Sequence, residues 1–138
     1  MNLKVNINSP KKLISDRGLE PMGRTQKFID NECMRRMVPY MPFLSGALSK
    51  SSTLGTVIGT GEVKQNVPYA RYQYYGKLMV SSLTGSAWSK GEEKVLTDKD
   101  LVHNKAYHPK AGPYWFERMK ADHKDKILKG AKKVADRR

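Results

Sequence analysis

The chain has 138 residues and a mass of 15.7 kDa, and its 26 Lys and Arg against 13 Asp and Glu give a formal charge of +13 and a pI near 9.9. This length suits one domain over residues 1–138 that buries its own core, and 38% hydrophobic with 28% charged residues argues against a disordered or membranous chain. The single cysteine, Cys33, excludes an intrachain disulfide and a multi-cysteine metal site.

No apolar run reaches the length that spans a bilayer, and the N-terminus lacks the apolar stretch of a secretory signal. The expectation is a protein made and kept inside a cell, with no membrane partner. The high pI raises nucleic acid as a partner, yet net charge is +4 over residues 1–37, +4 over 38–116 and +5 over 117–138. A groove that tracks phosphate usually gathers its bases on one element or face, so this general bias, only mildly enriched at the C-terminus, weakens that reading.

Leu3, Val5 and Ile7 alternate before Ser9 and Pro10 break the pattern, which predicts an extended N-terminal arm or edge strand over residues 1–15. Between Pro21 and Val38, Ile29, Cys33 and Met37 recur at steps of four and predict an amphipathic helix ended by Pro39. Pro39, Pro42 and Gly46 forbid a regular element until Ala47. "ALSKSSTL", "TVIGTG" and "EVKQNV", separated by Gly55, Gly59 and Gly61, read as short strands of an antiparallel meander. Pro68 and Gly76 bracket a helix of about two turns in "PYARYQYYG". "KLMVSS" reads as a strand, residues 82–97 as a long polar loop hinged at Gly85 and Gly91, and "VLTDKDLVHNKAYH", from Val95, as a return toward the sheet. Over residues 113–135, Phe116, Met119, His123, Ile127, Gly130, Ala131 and Val134 predict a C-terminal amphipathic helix with Pro113 in its first position and cations dominating its last turns. The expected class is α+β, an antiparallel sheet of short strands flanked by an N-terminal and a C-terminal helix.

Catalysis needs convergent groups, and His103, His108 and His123 lie in separate contexts with no ligand-spaced partner. No cofactor, metal or catalytic residue is expected. "GTVIGTG" lacks the Lys-Ser/Thr ending of a phosphate loop and no helical pattern follows it, so it reads as tight turns. The tyrosines are more informative. In a helix, Tyr69, Tyr72 and Gln73 share one face, while Ala70 pairs with Tyr74 and Arg71 with Tyr75, which puts aromatics on more than one side. A ring with a polar tip suits protein interfaces. Tyr72, Tyr74 and Tyr75, with Trp88 in the polar loop, are therefore the candidate contact residues. The N-terminal arm and the basic end of the last helix are secondary candidates.

"VPYMPFLSGALSKSS", "VPYARYQYYGK" and "HPKAGPYWFERMKADHKDKILKGAKK", in this order, resemble the minor capsid protein family of long-tailed bacteriophages of Gram-positive hosts, itself similar to phage neck, head-tail connector and tail-completion proteins. The shared pattern is a Pro-x-x-x-Gly-x-Leu turn at Pro42 to Leu48, Tyr-Ala-x-Tyr-x-x-x-Gly at Tyr69 to Gly76, and a Pro-aromatic helix opening at Pro113 to Phe116. The resemblance implies a non-enzymatic virion protein, assembled in the host cytoplasm, whose copies close into a ring in the neck. It also implies as neighbours a head-completion or connector protein and a tail terminator or tail tube protein, with DNA passing through the lumen. The alternative reading is a basic nucleic-acid-binding accessory protein.

Overall fold

The computed structural model describes residues 9–43, 46–67, 69–87 and 91–137. In chain order these form α1 (Pro10–Asp16), α2 (Arg24–Met37), a 3-10 turn (Val38–Tyr40), α3 (Ala47–Gly55), α4 (Ala70–Tyr75), β1 (Lys77–Ser81), β2 (Lys94–Asp100) and α5 (Trp115–Asp136). The α+β class holds, with α5 as the long C-terminal helix and one antiparallel pair of strands among the described residues.

The frame is the antiparallel packing of α2 on α5. Arg24, at the start of α2, donates to the carbonyls of Val134, Ala135 and Arg137 at the far end of α5, and at 2.6 Å to Asp16. It thereby occupies carbonyls that a helix end leaves without intrahelical partners. At the other end of α2, Tyr40 donates to Asp122 at 2.5 Å. Between them the core gathers Met37, Tyr40, Met41, Leu48, Ala70, Trp115, Met119 and Ile127, with Ile29, Cys33 and Phe116 packed against it. Trp115, the largest fully buried side chain, directs its indole N–H to Gln65 at 3.2 Å. That bond satisfies the one polar atom the ring carries.

Several expectations are corrected. The N-terminal arm becomes helical at Pro10, because Ser9 caps α1 by accepting the Lys12 amide and Pro10 pre-sets the first turn; the part of the arm at residues 1–8 lies outside the described residues. The predicted meander over 47–67 is absent among the described residues. Its first piece is α3, whose buried Leu48, Ser51 and Ser52 share a helical face, and the Ser51 hydroxyl bonds back to the Leu48 carbonyl at 2.6 Å. In the next stretch the Thr56 hydroxyl both accepts the Lys64 amide and donates to its carbonyl, so one side chain replaces a rung of the expected ladder. At the C-terminus, Pro113 precedes the helix, and Tyr114 is its N-cap. The tyrosine helix and β1 fall where predicted, with Gly76 in the left-handed conformation (φ 68°) ending α4. Pro68 lies outside the described residues. β2 begins at Lys94, one residue before the predicted return at Val95, so the end of the predicted 82–97 loop is strand.

A candidate assembly surface

Two local devices hold α4 against the start of α5. Tyr114 donates its backbone N–H to the Tyr74 carbonyl at 2.8 Å. Gly76 packs against Pro113 so closely that a Cβ there would lie 2.9 Å from the proline ring. An aromatic ledge results. Tyr74 stands edge-on to Trp115 at a centroid distance of 4.8 Å, and meets Tyr75 at 5.5 Å and Tyr114 at 5.6 Å; Tyr75 and Tyr114 meet at 6.0 Å. All four contacts are T-shaped, the arrangement that places a ring's positive edge on its neighbour's negative face.

The ledge has a buried foundation and a wet rim. Tyr74 is half-buried, and burial, helped by the nearby Glu117 carboxylate, pushes its hydroxyl above the usual phenol range, so it stays neutral. Tyr75 and Tyr114 remain 49% and 45% exposed, with Tyr69 at 41%. Tyr72 is half-buried. Of the candidate contact residues, then, Tyr75 faces outward, Tyr74 supports it from beneath, Tyr72 lies between these extremes, and Trp88 lies outside the described residues. Tyr114 was missed. It sits in the "GPYW" opening read as a helix start, and only its backbone, left-handed at φ 52°, turns the ring onto the ledge.

The histidines are not brought together. His103 donates from Nε2 to the Gln73 carbonyl at 2.8 Å, and His108 from Nδ1 to the Met41 carbonyl at 2.7 Å. A carbonyl can only accept, so each bond fixes a tautomer and marks a backbone tie. His123 sits between α2 and the 3-10 turn. Its Nδ1 faces the Arg36 guanidinium at 3.3 Å and its Nε2 the Tyr40 hydroxyl at 3.2 Å. Burial, followed by the charge of Arg36, holds its pKa below the usual imidazole value.

The glycine-rich stretch is also accounted for. The Gly59 and Gly61 amides donate to one carboxylate oxygen of buried Asp30 at 2.7 and 3.1 Å, while Gln26 holds the other at 2.8 Å. Two loop amides thus converge on an anion supplied by the chain's own helix α2.

Fold and surface together define a small α+β protein whose polar side chains mostly hold backbone in place. Among the described residues no group of three potential metal ligands gathers and no helix is long and apolar enough to cross a membrane. A model of the family described as minor capsid protein matches residues 1–135, and the chain belongs to that family, as a structural protein of the bacteriophage virion. No curated protein and no solved structure gives a match.

Proposed function

We propose that the protein is a subunit of the phage neck whose copies close into a ring joining the portal end of the capsid to the tail. The observation that carries this reading is the aromatic ledge, where half-exposed Tyr75 and Tyr114 stand on half-buried Tyr74 and fully buried Trp115. Aromatic anchors on a rigid base are what a protein contact uses, because little side-chain entropy remains to be lost on binding. A head-to-tail contact between identical subunits closes into a ring when its rotation divides the circle.

The adjoining partners are a head-completion or connector protein on one side and a tail terminator or tail tube protein on the other. Lys126, Lys129 and Lys133 share one exposed side of α5 and make no ion pair with described residues, which suits a ring whose lumen passes DNA. Electron microscopy of virions carrying a labelled copy tests the reading. The expected image is a ring at the neck with these lysines toward the lumen. Label on the capsid shell, or no label in virions, would reject the neck assignment.

A further inference from the structure

The β1–β2 hairpin contributes no residue to the buried cluster. Leu96 on β2 is 63% exposed, Val95 44%, and Leu83 just beyond β1 82%. A lone two-stranded hairpin is marginally stable in water, and its outer edges carry backbone donors and acceptors that have no strand partner among the described residues. Lys77 is the one charged residue of β1, and β2 carries Lys94, Asp98, Lys99 and Asp100, with both aspartates at the end that meets Lys77.

Within the chain the register pairs Ser81 with Lys94, Val80 with Val95 and Met79 with Leu96, is interrupted by an irregularity, and resumes with Lys77 opposite Asp100. Continued without interruption, it would set Lys77 opposite Asp98. Instead Lys77 forms its ion pair with Asp100, and Asp98 is left exposed without an ion pair among the described residues.

We propose that this hairpin joins neighbouring subunits, the free edge of β2 in one copy pairing antiparallel with the free edge of β1 in the next. The idea deepens the ring reading above and rests on it. A second copy fits because an uninterrupted version of the same register answers the exposed Val95, the exposed Leu96 and Asp98 at once. The neighbour's Val80 meets Val95, its Met79 meets Leu96, and its Lys77 meets the unpaired Asp98. A slip of one residue would turn the side chains to the opposite face and lose all three matches. Hairpins repeated head to tail alternate strand direction, so each contact between copies is antiparallel like the one within a chain, and closure leaves no edge bare.

The test uses two full-length chains, both Cys33→Ser, one with Val80→Cys and the other with Val95→Cys, incorporated together into particles and then oxidised. Directly opposed strand residues lie within disulfide reach, so a mixed 80–95 dimer is expected as the main cross-linked species. Only 80–80 or 95–95 dimers would mean two-fold pairing and overturn the proposal. Rings seen by microscopy without any disulfide would overturn it while leaving the ring reading intact, whereas absence of rings would remove the reading beneath it. Hydrogen exchange needs no substitution: amides of residues 94–100 should exchange at least tenfold more slowly in assembled rings than in the free subunit, and equal rates would overturn the proposal.

Discussion

Asp30 shows how one side chain fixes a loop that local sequence leaves open. It is 3% exposed, and its carboxylate accepts from Gly59, Gly61 and Gln26. Asp30→Ala should destabilise the protein by about 2–4 kcal/mol, since it strands the buried Gly59 amide as well as losing charge-assisted bonds; chemical denaturation would measure it. Nothing local in "DNE" reveals this partner, because the glycines it serves lie far along the chain. His123 makes a second prediction. The Arg36 guanidinium can only donate, so Nδ1 accepts, Nε2 carries the proton toward Tyr40, and Tyr40 donates to Asp122. Protonating Nδ1 would set two cations face to face. The folded pKa therefore lies below the ordinary value of 6.5, and the unfolded chain binds the proton more readily. The resulting stability is fully present above the unfolded value, falls as pH drops through it, and is gone below the folded value. Midpoints of denaturation should decline on acidification through this window, and His123→Gln should make the decline shallower.

At the scale of elements, the contact of α2 with α5 depends on Gly130. A Cβ built there would lie 2.5 Å from the Phe28 ring, so the glycine admits the ring against the helix backbone. Alanine in a helix interior ordinarily gains about 0.5–1 kcal/mol over glycine. Here overpacking should reverse the sign, and Gly130→Ala should cost about 1–3 kcal/mol in thermal or chemical unfolding. Combining it with Phe28→Leu should recover part of that loss, giving a coupling of at least about 0.5 kcal/mol. The two helices were legible in the sequence because their apolar residues repeat at steps of three and four over many positions. The tyrosine helix was legible from Gly76, and β1 from its short apolar run. Helix α3 was not, because Ser51 and Ser52 on its buried face carry no hydrophobic signal and Ser- and Thr-rich segments between glycines imitate strands. For α1, Ser9 and Pro10 were read as punctuation when they were a cap and a first turn.

At the scale of the molecule, the ledge trades subunit stability for surface. A tyrosine held at positive φ costs about 1–3 kcal/mol, and Tyr114 persists there through its bond to Tyr74 and its ring contacts. Only part of this site could be read from sequence. Four tyrosines close together announced an aromatic surface, but Tyr114 joins them through a backbone angle and a distant packing partner that no spacing encodes. The strain makes the role of the ring separable from its role in folding. Asparagine tolerates the left-handed region better than tyrosine, so Tyr114→Asn gains in backbone energy what it loses in ring contacts, and subunit stability should move by no more than about 1 kcal/mol. Tyr75→Ala, at a half-exposed rim position, should likewise leave the fold intact. If these rings anchor a neighbouring copy, each substitution should lower the affinity between subunits by tenfold or more, about 1.4 kcal/mol. Sedimentation of assembled rings alongside thermal unfolding of the free subunit measures both quantities. Assembly unchanged in both variants would relieve the ledge of its proposed role, and a parallel loss of stability and assembly would make it merely part of the core.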